Sequence, residues 1–256
     1  MNPRRLLTEL ITFENSNSNP ANQLNDYLLF IDTEASGLPI KWDQPYSADE
    51  NWPHVLQVSW LIYDKHKQII KQQDHYINEN GVTITPAASN IHGLTPQFLT
   101  LNGKPMAQVL QLLVADVQQY QPMLTGHFIR LDYYLLGAAF YRSAMENPLN
   151  KLPVFCTMVA TTQLINRPLT RHLRLEELYY MLFGSNLQNQ HNALHDAEAT
   201  AACFFELRHR GEISDKSIRD QNRDFEQQRD PTKKQSGCLI PALVIILLVA
   251  IIIYSL

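Results

Sequence analysis

The chain has 256 residues, 25 acidic and 21 basic, with a formal charge of −4 at pH 7; 45% of residues are hydrophobic and 18% charged. These are the proportions of a globular protein with a real core, large enough for one large or two small domains. The acidic balance gives no basic footprint and argues against a protein that coats nucleic acid, although it does not exclude an enzyme that grips only a strand end.

Residues 1–25 read as an N-terminal extension, a short helix followed by a polar linker, and no apolar core there suggests a signal peptide. A globular domain is expected over residues 26–210. Its first strand, residues 27–31, delivers two carboxylates, Asp32 and Glu34, to its end. Strand side chains alternate, so both point to one side, where charge is costly without a compensating cation. The pair therefore suggests a divalent metal site. Ala35-Ser36-Gly37-Leu38 follows as a turn whose glycine lets another backbone come close.

A long loop, residues 39–53, leads to strands at 55–63 and 68–77, which read as a hairpin around 64–67. Residues 105–120 carry Met106, Val109, Leu110, Leu113 and Val117 at helical spacing. Short strands are expected at 123–125 and 154–156, and helices at 131–142, at 175–183 closed by Gly184, and at 193–210. Three strands followed by alternating helices and strands predict an α/β mixed sheet with helices on both faces. Two more acidic positions, Asp132 at a helix start and Asp196 in His191-Asn192-Ala193-Leu194-His195-Asp196, give four carboxylates from separate segments. Oxygen ligands of this kind suit Mg²⁺ or Mn²⁺.

Residues 211–237 are polar and charged and read as a partly helical stalk between domain and membrane. Residues 239–256 carry no charge, and as a helix they would span roughly 27 Å at ~1.5 Å per residue, about the thickness of a bilayer core. A transmembrane tail anchor over residues 238–256 is expected, with Arg229, Lys233 and Lys234 on its cytoplasmic side and the catalytic domain in the cytoplasm. Three cysteines, Cys156, Cys203 and Cys238, have neither metal-ligand spacing nor the pattern of a disulfide framework, which fits a reducing compartment. Cys238 reads as an interfacial cysteine.

Phe30-Ile31-Asp32-Thr33-Glu34-Ala35-Ser36-Gly37-Leu38 resembles the first motif of the DnaQ-like 3′→5′ exonucleases, the family of the proofreading epsilon subunit of bacterial DNA polymerase III. Residues 84–95, ending in His92-Gly93-Leu94-Thr95, are similar to the family's Pro-to-His-Gly-Leu-Thr segment. Gly126-His127 with Asp132 resembles the second motif, and His191 five residues before Asp196 matches the third motif of the histidine subclass. The resemblance runs from about residue 27 to 210, with every anchor in order. One departure is Phe128, where the family usually has Asn after the histidine.

The resemblance implies a ribonuclease H-like fold and two divalent metal ions, Mg²⁺ with Mn²⁺ as substitute. It implies that Asp32, Glu34 and Asp196 hold one ion, that Asp32 bridges to the second, and that Asp132 helps hold that second ion. It makes His191 the general base, with His195 a helix-surface residue. Ser36, Gly37 and Leu38 would line the terminal nucleotide pocket, and His92 and Leu94 would touch the last nucleotide from the opposite wall. The implied activity is release of nucleoside 5′-monophosphates from 3′ ends of single-stranded DNA or RNA, with polymerase association an open question. The alternative is a catalytically silent nucleic-acid-end binding module anchored at the membrane. Arg167, Arg171, His172 and Arg174 read as a solvated loop, and Trp42, Tyr46 and Trp52 as loop packing.

Overall fold

The structure is a computed structural model that describes residues 25–79, 81–166 and 168–229. The expected N-terminal extension up to residue 24, the end of the expected stalk and the apolar run of residues 239–256 lie outside the described residues. Among the described residues no helix is long and apolar enough to cross a membrane.

Five strands form one mixed sheet in the order β3-β2-β1-β4-β5. They are β1 (Tyr27–Ala35), β2 (Val55–Asp64), β3 (Ile69–Tyr76), β4 (Met123–Gly126) and β5 (Val154–Cys156). β1 pairs antiparallel with β2 and parallel with β4; β2–β3 is antiparallel and β4–β5 parallel. β1 is central and covered on both faces, which accounts for its unbroken apolar run. Leu29 and Ile31 enter one core cluster, and Leu28 and Phe30 enter the other. β3 is an edge strand; its mixed Ile-Ile-Lys-Gln-Gln-Asp composition leaves most of it partly or fully exposed.

The first face is packed by α3 (Met106–Tyr120) and α4 (Ile129–Arg142). The five apolar positions predicted for α3 are all buried. The second face is packed by α5 (Thr157–Ala160), α6 (Leu175–Phe183) and α7 (Ala193–His209). Two short helices that the periodicity did not mark follow, α1 (Pro86–His92), tied to the end of β1, and α2 (Pro96–Asn102), packed against Leu56 and Tyr76. In each a threonine hydroxyl caps the first turn and proline follows at its start, Thr85 with Pro86 and Thr95 with Pro96.

The long loop packs on α4, as expected. Trp52 is buried and stacks on Tyr134 with centroids 5.5 Å apart, and Trp42 meets Phe128 and Tyr134 edge-on. Tyr46 lies across Gly137 so closely that a Cβ there would collide with its ring.

The stalk reading needs correction over the described residues. Asp215–Arg229 is a helix, α8, laid along the free edge of β5. Asn222 Oδ1 accepts the Val154 N–H at 2.9 Å and Gln221 Oε1 accepts the Cys156 N–H at 3.1 Å. Ile218 joins the second core cluster, and Phe225 packs on the first and meets Tyr133 edge-on. An edge strand leaves unpaired backbone donors, and the amide side chains of α8 satisfy them. The charged residues that suggested a solvated stalk are the outward face of this helix.

Candidate active site

β1 runs further than the sequence suggested, through Ala35, because the acidic pair itself is paired in the sheet: Asp32 faces Ser59 and Glu34 faces Gln57 across β2. The parallel strands β1, β4 and β5 all end at this edge, where open α/β sheets place their ligands. Asp32 and Glu34 share the face of Leu28 and Phe30, the face covered by α7. Thr33 points the other way, and its hydroxyl donates to Asp132 Oδ1 of α4 at 2.7 Å. One strand thus reaches Asp196 of α7 with one face and Asp132 of α4 with the other.

The four predicted carboxylates converge. Burial pushes the Asp32 carboxyl well above the usual range, and the charges of Asp132, Asp196 and Glu34 push it further. Glu34 is 8% exposed; burial, then Asp196 and Asp132, raise it to about 8. Burial raises Asp132 to about 7 against the lowering effect of the Thr33 hydrogen bond. Asp196 is raised by burial and held back by the His191 N–H, which donates to its Oδ2 at 2.9 Å. The charges that act on Asp32 are those of Asp132, Asp196 and Glu34, an arrangement that costs stability until a cation enters.

Glu34, His191 and Asp196 each offer a ligand atom, all within 4.8 Å of one another. Asp196 Oδ1 is buried with no hydrogen-bond partner. An orphaned buried carboxylate oxygen among further carboxylates is a donor set that fits a divalent cation. His191 is exposed and takes a left-handed backbone, φ 63°, just before the N-cap Asn192, whose side chain accepts the His195 N–H. That bend turns its N–H onto Asp196. His195 departs from the surface reading: it is half-buried, with an Nδ1 that is buried and without a partner.

The predicted nucleotide-pocket residues are assembled beside this cluster, with different duties. Ser36 is tied down at both ends: its N–H donates to His54 O and its Oγ accepts the His54 N–H. Gly37 lies against Thr85, where a Cβ would stand 3.2 Å from the methyl group. Leu38 is 71% exposed. His92 Nδ1 accepts the Leu94 N–H, so its Nε2–H donates to Ala35 O at 3.2 Å and joins α1 to the end of β1. Burial lowers its basicity, and His191 is near enough to lower it further. Leu94, expected to touch the nucleotide, is buried in a satellite cluster with Leu56 and Leu99.

His127 of the second motif is an internal brace. Its Nε2–H donates to Leu173 O at 3.0 Å and its Nδ1 accepts from the Thr157 hydroxyl at 2.9 Å; burial lowers it to about 4, so it stays neutral. Arg171 pairs with Glu177 and Arg174 approaches Glu176, in keeping with a solvated loop, while Arg167 lies outside the described residues. The sequence reading gave no role to Thr33 or to Gln57, which contacts the start of α7.

The profile of a family described as exonuclease matches residues 29–204. A search of curated proteins returned no match. Among solved structures, the zinc-bound complex of E. coli exonuclease I with single-stranded DNA is 21% identical, with a TM-score of 0.60 over 73% of this chain and 41% of that one. Exonuclease I of Methylocaldum szegediense is 22% identical, TM-score 0.58, over 72% and 40%. A 3′-exonuclease that recognises the histone mRNA stem-loop is 14% identical, TM-score 0.59, over 74% and 84%. At these identities the likeness shows the fold. The chain covers only about two-fifths of the exonuclease I structures.

Proposed function

This chain belongs to the exonuclease family, and from that premise we propose that it is a metal-dependent 3′→5′ exonuclease that releases nucleoside 5′-monophosphates from single-stranded ends. The observation that carries the reading is the cluster of Asp32, Glu34, Asp132 and Asp196, brought together at the sheet edge with raised pKa values and an orphaned oxygen on Asp196. A protein that only bound strand ends would have no need of this unfavourable grouping.

Asp32, Glu34 and Asp196 would hold one divalent ion, Mg²⁺ or Mn²⁺, and Asp32 with Asp132 a second. When bound, such ions supply charge neutralisation at the scissile phosphate and a more acidic attacking water. The chain's own groups do the rest. His191, next to Glu34 and Asp196, takes the proton of the attacking water. The new bond joins water oxygen to phosphorus, the bond to the penultimate nucleotide's 3′ oxygen breaks, and that oxygen leaves with the electron pair and takes up a proton from solvent to become the strand's new 3′ hydroxyl. Exposed Leu38, next to Ser36 and Gly37 in the chain, would give the last base an apolar surface. The crystal structures of E. coli exonuclease I with single-stranded DNA support a single strand as substrate.

Membrane tethering by residues 239–256 is a separate proposal, supported by their uncharged sequence and the preceding Lys233 and Lys234. Deleting them is expected to release the protein from membrane fractions; unchanged sedimentation with membranes would remove the anchor.

The direction of attack is tested with strands blocked at one end. The full-length protein with Mg²⁺ is expected to digest 5′-blocked DNA or RNA and to spare 3′-phosphorylated strands. Digestion of the 3′-blocked strand alone would overturn the reading. Parallel DNA and RNA arms identify the preferred polymer.

A further inference from the structure

Gln57 lies on β2 directly across from Glu34 and is 1% exposed. Both ends of its amide are used. Oε1 accepts the N–H of Ala193, the first residue of α7, at 3.3 Å, and Nε2 donates to Asp74 Oδ1 on β3 at 2.8 Å. The Ser59 hydroxyl, across from Asp32, donates to the same Asp74 oxygen at 2.7 Å. A carboxylate only accepts, so Asp74 holds the amide nitrogen on its own side and leaves the amide oxygen for α7. The Ala193 N–H belongs to the first turn of α7, whose amide donors have no partner within the helix. Asn192 caps a different donor in that turn, the N–H of His195. The same turn carries Asp196, which in turn receives the N–H of His191.

We infer that Gln57, oriented by Asp74, is a positioning residue that sets the separation between the carboxylates of β1 and the His191–Asp196 segment. It touches no reacting atom. It holds the two halves of the cluster in register, from β3 through β2 to α7. Asp74 itself is exposed on the edge strand, outside the cluster, so its replacement leaves the core intact. The inference rests on the metal-site reading above.

The test uses full-length protein carrying Gln57→Leu, Asp74→Ala, Gln57→Glu, and the double change Gln57→Glu with Asp74→Asn. Four quantities are read: kcat, KM for a labelled strand, the Mg²⁺ concentration at half-maximal rate, and the Mg²⁺-induced rise in melting temperature. Groups that orient metal ligands typically change metal affinity or activity by roughly 10–100-fold when removed. Gln57→Leu and Asp74→Ala are expected to lower kcat by roughly tenfold or more, to raise the Mg²⁺ midpoint several-fold, and to leave KM within about twofold. Gln57→Glu sets a carboxylate against Asp74 and is expected to behave like them. The double variant exchanges amide and carboxylate between the two positions at the wild-type net charge. The amide introduced on β3 then donates to the carboxylate introduced on β2, which still accepts the Ala193 N–H, so kcat and midpoint recover. Single variants with wild-type kcat and midpoint, or a double variant as impaired as Gln57→Glu, would overturn the inference. If wild-type protein releases no monophosphate, the functional reading fails, and the melting shift decides this inference by itself: a full shift in Gln57→Leu removes it.

Discussion

Glu34 at about 8 and Asp132 at about 7 stand far above ordinary carboxyls, and Asp32 and Asp196 are raised beside them. A carboxyl whose folded pKa exceeds its unfolded value binds more protons when folded. Stability then falls as pH rises from the unfolded value, roughly 4, through the folded ones. In chelator the melting temperature is expected to drop between about pH 4 and pH 8, with divalent cation restoring most at the upper end. Melts at pH 5, 6, 7 and 8 with and without Mg²⁺ check this; a metal-free protein most stable at pH 8 contradicts it. By the same logic Asp132→Asn removes a buried charge while Oδ1 can still accept from Thr33. It is expected to melt higher than wild type in chelator at pH 8 while losing activity. His191→Ala should lower kcat by roughly 10²–10⁴-fold; equal activity would pass the base role to the half-buried His195. The charged members of this site were legible because carboxylates at the end of an apolar strand need a reason. Thr33 and Gln57 were not, because each matters through a partner on another element, and a neutral side chain carries no sign of its partner.

At the scale of elements, the period of apolar residues predicted α3, α6 and α7 to within a residue or two at each end. It missed α1 and α2, which are too short for a period to show; their signal was chemical, Thr-Pro at the start of each and Gly93 or Gly103 at the end. The helical character of α8 was expected, but its docking on the sheet was missed for a related reason. Its inward face is built from Ile218, Gln221, Asn222 and Phe225, where two amides replace apolar residues because their task is to satisfy the β5 edge. Gln221→Leu and Asn222→Leu should each cost about 1–3 kcal/mol by leaving a backbone donor unpaired. A chain ending after Arg210 loses the whole cover and is expected to aggregate or fail to melt cooperatively. A truncated protein as stable as the intact one would return this segment to the role of a stalk.

For the whole molecule, the mixed sheet and its helical layers follow from the order of strand and helix patterns, and the parallel β1-β4-β5 half places the site at its carboxyl edge. The fold collects in one place what the chain separates by more than 160 residues, from Asp32 to Asp196. That convergence was legible only through the order of the motifs; spacing alone does not say which segments meet. The central claim is that this cluster hydrolyses strand ends with the help of divalent ions. Its most direct test is release of mononucleotide from a 5′-labelled single strand by full-length protein across a Mg²⁺ titration, beside Asp32→Ala. The account predicts a ladder shortening one nucleotide at a time from the 3′ end, abolished by chelator and by Asp32→Ala. Equal digestion by wild type and Asp32→Ala, or none by either at any Mg²⁺ concentration, would contradict it.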